Sequence, residues 1–182
     1  HLGKKKKDEF VDVACFGAIR PLKNQLIQAV AAIRYAERQG KQLRFHVNAG
    51  RVEQRGDNVL KNIRALMNAT GHDLVEHGWL PHDEFLRLLT RMDLLLQVSF
   101  SETFNIVAAD AAVVGLPIVV SPEVEWASPA IMAEPTDSDD IVQKMIMAND
   151  WRYRWALKVL NLLRLRQYCE RSKTHWLRYF KA

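Results

Sequence analysis

The run Asp93-Leu-Leu-Leu-Gln-Val98-Ser-Phe-Ser-Glu102-Thr-Phe-Asn-Ile106-Val-Ala-Ala-Asp110-Ala-Ala-Val-Val-Gly115-Leu-Pro117-Ile-Val-Val120 reads as strand, helix and strand in immediate succession. Asp93 to Val98 is almost continuously apolar, the pattern of a strand covered on both faces. A helix is predicted from about Phe104 to Val114, and Gly115 ends it. Pro117 to Val120 is the next strand.

The same alternation extends outward in both directions. Upstream, Val11 to Phe16 is β-prone and ends at Gly17. A helical pattern follows from about Asn24 to Gln39, stopped by Gly40. Leu43 to Val47 is a second strand, Asp57 to Asn68 a helix and Asp73 to Glu76 a short third strand. His82 to Arg91 makes a short helix, with Phe85, Leu88 and Leu89 on one face. Downstream, Ile131 to Ala133 is predicted as a sixth strand and Asp139 to Asn149 as a helix. This order predicts an α/β fold, a doubly wound parallel sheet spanning residues 10–149.

Residues 150–182 shift in composition to Trp, Arg and Leu, which points to an appended helical extension. Trp151, Trp155, Val159, Leu162 and Leu163 share one side of that helix, and Ser172 to Thr174 are expected to break it in two. Residues 1–9 form a basic tail or a cloning remnant, and the missing initiator Met suggests a fragment or a processed chain.

Charge is unevenly placed. The 182 residues carry a net charge of +5 and a pI of about 9.3. Lys4 to Lys7 supply +4 and residues 150–182 supply +7, which leaves residues 8–149 at −6. The body is acidic and the ends are basic, which argues against the fold itself as a nucleic-acid platform, and no specific nucleic-acid motif is present. With 48% hydrophobic and 26% charged residues the composition is that of a globular domain, and no apolar run spans a bilayer. Cys15 and Cys169 suit a reducing, cytoplasmic setting better than a disulfide framework.

Ligands of open α/β sheets bind beyond the carboxyl ends of the strands, where helix N-termini point. Two junctions here carry suitable chemistry. The first is Gly17-Ala18-Ile19-Arg20-Pro21-Leu22-Lys23-Asn24. Its glycine permits a tight turn, and Arg20 and Lys23 offer charge to a phosphate or diphosphate. The second is Ser99 to Ile106. Glu102 there suits a helix N-terminus. Asp110 lies within an apolar helix and must find a partner or reach solvent. If both were helical, Glu102 and Asp110 would be about 12 Å apart, too far for the ~5–5.5 Å carboxylate pair of a retaining glycosidase. They read as two separate hydroxyl ligands, suited to a molecule with two polyol parts.

The segment Glu102 to Val120 resembles the E-x7-E segment of the retaining GT-B glycosyltransferases called group 1, whose pattern runs roughly E-G-F-G-L, E-A, G-x-P-V-V. The Gly17–Asn24 loop resembles that family's G-R-L-x-P-E-K-G loop, with Lys23 at the lysine position. The resemblance spans about residues 10–149 and implies a Rossmann-like half of a GT-B fold that binds a nucleotide diphosphate sugar, with UDP or GDP as the nucleotide. By it, Glu102 meets the donor sugar's hydroxyls and Asp110 holds the ribose. Backbone amides of Phe104, Asn105 and Ile106 face the diphosphate or sugar, and Lys23 neutralises the departing diphosphate. Gly78, Trp79 and Leu80 lie beside the base. Three positions depart from the pattern. Ala18 stands where the family has an arginine, leaving Arg20 to substitute; Thr103 and Asn105 replace glycines; Asp110 is one methylene short.

The resemblance further implies a transferase that needs no metal or other cofactor and acts on the hydroxyl of an acceptor glycan, lipid or other compound, held by an N-terminal domain outside this sequence. Ala18 and Asp110 keep a second reading open, a non-catalytic nucleotide-sugar-binding or interaction module; a nucleotide-sugar epimerase on the same fold is a third. Asp137-Ser138-Asp139 spells D-x-D but reads as a helix cap. His46, His72, His77 and His82 lack metal-ligand spacing. The basic, Trp-rich end has three readings: a packed terminal helix with arginine stems over apolar surface, the C-terminal helix that by the resemblance crosses back to brace an N-terminal domain, and contact with the inner face of an anionic membrane.

Overall fold

The computed structural model describes residues 9–180, the side chain of Arg178 excepted. The Lys4–Lys7 run lies outside the described residues. Five strands, β1 (Phe10–Cys15), β2 (Gln42–Asn48), β3 (Asp73–His77), β4 (Leu94–Gln97) and β5 (Ile118–Val120), alternate with α1 (Gln25–Arg38), α2 (Asp57–Thr70), α3 (His82–Leu89), α4 (Ile106–Val114) and α5 (Ser138–Asn149). A long helix, α6 (Trp151–Tyr179), follows. The sheet is wholly parallel in the order β3-β2-β1-β4-β5. Successive strands step outward from β1 to β3 and then cross back to β4. Right-handed crossovers therefore place helices on opposite faces, and a crevice opens beyond the carboxyl ends of β1 and β4.

Strand burial follows from that layering. All four residues of β4 and all three of β5 are buried, as the apolar runs required. The α1 face against the core is built from Ala29, Ala31, Ala32 and Ala36, whose small side chains let the helix lie close to the sheet and to α5. Phe16, Phe45 and Trp126 are the bulkiest fully buried side chains; burying each stabilises the fold by about 2–3 kcal/mol.

Three expectations are corrected. The sixth strand, Ile131 to Ala133, reduces to one parallel bridge between Val120 and Met132 beside a 3-10 turn at Pro129–Ile131. No break occurs at Ser172–Thr174: α6 runs unbroken, because two weak helix formers cost only tenths of a kcal/mol each within a long helix. The side of α6 bearing Trp151, Trp155 and Leu163 is not its packing face, since Trp151 and Trp155 are 85% and 74% exposed. The helix seats instead through Leu165 and Asn161, both buried. Asn161 accepts a hydrogen bond from the Ser128 backbone at 3.0 Å, and Arg164 donates to the carbonyls of Glu125, Trp126 and Ala127. No helix among the described residues is long and apolar enough to cross a membrane.

Candidate functional site

Two loops are sewn together at the crevice. Ile19 donates to the Arg51 carbonyl at 2.8 Å and accepts from Glu53 N–H at 2.9 Å, joining the loop after β1 to the loop after β2. Gly56 makes this possible, because a Cβ there would collide with the Ile19 carbonyl. On the other side, Phe100 N–H bonds the Leu22 carbonyl, tying the loop after β4 to the same rim.

Buried amides shape the first loop. Asn24, in the left-handed region at φ 56°, donates to the carbonyls of Val98 and Pro135. Gln28 donates to the Lys23 carbonyl and accepts from Val98 N–H, and Gln25 donates to Ala18. These contacts present Lys23 to Glu102, whose ion pair is 13% and 5% exposed on the two side chains. Ser99 Oγ donates to the same Glu102 oxygen at 2.9 Å. Arg20 faces Glu53 at 3.8 Å, and its Nε is buried without a partner among the described residues.

The second junction explains one departure from the glycine pattern. Asn105 adopts φ 55°, a conformation that glycine and, after it, asparagine tolerate best. Its side chain caps α4 by accepting from Ala108 N–H at 2.9 Å and donates to Gln97. Ile106 and Val107, in the first turn of α4, have no intrahelical acceptor for their amides. Trp126 Nε1 donates to the Phe104 carbonyl at 2.7 Å and holds this approach from behind.

Together these parts line one groove of two compartments. The charged compartment, about 330 Å³, is walled by Gly17, Arg20, Lys23, Glu102, Thr103, Phe104, Asn105 and Ile106. The other, about 450 Å³, is largely apolar, and His77, Gly78, Trp79, Leu80 and Asp110 lie along it. Gly17, Ala18, Arg51, Ile106 and Val107 border both, so the two are continuous. Every residue that the resemblance assigns to the donor lines this groove. Glu102 and Asp110 are not both helical, as their spacing assumed: Glu102 sits in the loop before α4, and Asp110 meets His82 Nε2 at 3.2 Å. Trp79 is 78% exposed within the groove.

Sequence reasoning missed the polar side chains beneath the apolar compartment. Asp12 accepts from Arg44 Nε at 2.7 Å and from His46 Nε2 at 2.8 Å. Burial alone would raise the Asp12 carboxyl, but the bonds from His46 and Arg44 and the guanidinium charge outweigh it and hold it below the usual carboxylate range. His46 Nδ1 in turn meets His77 Nε2 at 2.9 Å. Burial, then the neighbouring His46, hold His77 below the ordinary histidine range. No trio of His, Cys, Asp or Glu among the described residues is arranged to hold a metal. Asp137 caps α5 through the amides of Asp139 and Asp140, as the D-x-D reading expected. Cys15 and Cys169 are both free, and burial pushes the Cys15 thiol up to about 12.

A half-GT-B architecture, Rossmann-like with a C-terminal helix, is thus defined by the sheet order, the crevice and α6. Residues 11–150 match the family described as Glycosyl transferases group 1, and the chain belongs to that family. Among curated proteins none matches the chain closely enough in sequence to count as a relative. Solved structures of similar fold include the catalytic domain of cholesterol-α-glucosyltransferase from Helicobacter pylori, at TM-score 0.67 and 18% identity, covering 88% of this chain and 98% of that one. Another is the C-terminal domain of a glycosyl transferase group 1 family protein from Francisella tularensis, at TM-score 0.73 and 17% identity over 86% and 85% of the two chains. A UDP-forming α,α-trehalose-phosphate synthase from Burkholderia xenovorans, in complex with glucose-6-phosphate, aligns at TM-score 0.74 and 13% identity. That alignment covers 96% of this chain but only 44% of the synthase.

Proposed function

We propose that the groove binds a nucleotide diphosphate sugar and that the chain is the donor-binding half of a retaining glycosyltransferase. The observation that carries this reading is the charged compartment, where Lys23, Glu102 and the first-turn amides of α4 converge at one end of a longer apolar cleft. A diphosphate bridging the compartments meets Lys23, Arg20 and the α4 N-terminus, which together favour negative charge. The sugar reaches Glu102, a fixed acceptor for hydroxyls. The ribose reaches Asp110, and the base lies along Gly78, Trp79 and Leu80. As the glycosidic bond to the diphosphate lengthens, charge grows on the leaving oxygen. Lys23 and the α4 amides stabilise it there, so that they strengthen in the transition state more than in the ground state. The acceptor and its hydroxyl belong to a second domain facing the groove.

Calorimetric titration with UDP, GDP and their glucose conjugates tests the reading. Binding of at least one is expected, with Lys23→Ala weakening it about tenfold to a hundredfold through loss of a charge-assisted contact. Failure of every nucleoside diphosphate and sugar conjugate to bind overturns the proposal. Asp110 favours one alternative, a binding module without turnover, because its carboxylate is paired with His82 in this structure. Sugar transfer in the presence of a supplied acceptor domain would reject that alternative.

A further inference from the structure

Residues 126–128, all buried, bridge α6 to the loop that carries Glu102. On one side α6 holds them. Arg164 Nε donates to the Trp126 carbonyl at 3.2 Å and to the Ala127 carbonyl at 2.9 Å, and Asn161 accepts from Ser128 N–H. On the other side the Trp126 indole donates to the Phe104 carbonyl at 2.7 Å. The Phe104 ring packs against both the Trp126 indole and Tyr168 of α6, with centroids 6.3 and 5.9 Å away. Phe104 and Asn105 wall the charged compartment, whereas Trp126, Arg164 and Tyr168 line neither compartment.

That single indole bond fixes the direction of a backbone amide. A trans peptide is planar, with its N–H opposed to its carbonyl. With the Phe104 carbonyl drawn onto the buried Trp126, the Asn105 N–H is turned away from the core, toward the charged compartment that Asn105 lines. A left-handed Asn105 followed by the right-handed start of α4 turns the amides of residues 105, 106 and 107 to one concave side, a backbone arrangement that suits an anion. None of these three amides has an acceptor among the described residues. Left-handed backbone is disfavoured for a residue with a Cβ. The Asn105 side chain holds one side of that conformation, through Ala108 and Gln97. Trp126 holds the peptide on the other side. Without that bond the peptide is free to turn over, placing a carbonyl where the N–H stood.

We propose that Trp126 is a positioning residue of the donor site, acting through the Phe104–Asn105 peptide to keep the Asn105 N–H aimed at the diphosphate. The inference rests on the donor-binding reading above and adds a residue outside both compartments that prepares the site. A preset N–H meets the charge growing on the leaving oxygen without reorienting, which is where a fixed dipole contributes most. A carbonyl in its place repels the same charge. By the same route α6 is joined to the donor site, since Arg164 holds Trp126 and Tyr168 packs on Phe104.

Calorimetry and amide NMR of wild type and Trp126→Phe, each titrated with UDP and with GDP, are the test. Trp126→Phe keeps an aromatic ring and removes the N–H. The tighter of the two nucleotides is expected to bind the variant about tenfold more weakly. In saturated wild type the Asn105 amide proton is expected to move downfield, as on bonding a phosphate oxygen. The Trp126 indole proton is expected to move with it, because a bond to the N–H of a peptide strengthens the bond to its carbonyl. In the saturated variant the Asn105 movement is expected to be lost, while the amides of Gly78 and Trp79, in the apolar compartment, shift as in wild type. General loosening of the groove would disturb those amides too, and that outcome overturns the proposal. So does an unchanged affinity in the variant. An Asn105 amide or a Trp126 indole that stays in place in saturated wild type also overturns it, and this readout decides if Trp126→Phe does not fold. Binding of neither nucleotide would instead remove the donor reading on which it stands.

Discussion

At the scale of single residues, Asn105 and His77 carry the clearest consequences. Asn105 holds a left-handed backbone, caps α4 and bonds Gln97, all from a buried position. Alanine there loses the cap, about 1 kcal/mol, and adds left-handed strain of about 1–2 kcal/mol. Glycine keeps the backbone at ease and loses only the side-chain bonds. Urea unfolding is expected to rank wild type above Asn105→Gly and Asn105→Gly above Asn105→Ala; equal loss in the two variants would mean that backbone strain plays no part. His77 and Asp12 both have proton affinities below those of the unfolded chain. The unfolded chain therefore takes up protons first, and stability falls as pH drops. The His77 contribution is intact above about pH 6.5 and is lost as pH falls toward its depressed folded value. The Asp12 contribution is intact above about pH 3.9 and is lost below that. Urea midpoints measured from pH 8 to pH 5 are expected to fall in the wild type and to fall less in His77→Phe. That Glu102 and Lys23 lie together in the groove was legible in sequence because a motif carries both positions. The Asp12–His46–His77 chain of contacts was not, since it exists only through strand register, and the three residues are separated by 34 and 31 positions.

At the scale of elements, β4, α4 and β5 were legible because parallel strands buried on both faces leave an unmistakable apolar run. The start of α4 was placed two residues early: Phe104 continues the apolar run, but the left-handed turn at Asn105 delays the helix to Ile106. The Ile131–Ala133 segment has strand-like composition yet finds only one partner residue, Met132 on Val120. In α6 the periodicity of Trp and Leu was visible, but two apolar stripes compete, and the one that seats on the body is fixed by Asn161, Arg164 and Leu165. Leu165→Ala is accordingly expected to destabilise the protein by about 2–4 kcal/mol. Trp155→Ala, on the exposed stripe, is expected to change stability by less than about 0.5 kcal/mol. Thermal or urea melts of the two variants decide between the stripes, and the reverse ranking would mean that α6 seats the other way round.

At the scale of the whole molecule, a doubly wound parallel sheet with a crevice beyond the carboxyl ends of its strands followed from the alternation of elements, while the strand order is a finding of the structure. The union of the two compartments did not follow from that alternation, because it depends on loops from β1, β2 and β4 meeting at one rim. Gly56 tests that rim: alanine there must push the Ile19 carbonyl away and is expected to cost about 2–3 kcal/mol. The same variant is expected to weaken nucleoside diphosphate binding, measured by calorimetry, although residue 56 touches neither compartment. A rim sewn through Ile19, Arg51 and Glu53 behaves as a rigid frame. Ligand arrival then has little backbone to rearrange, so association is limited by encounter and differences among ligands appear chiefly in how long each one stays.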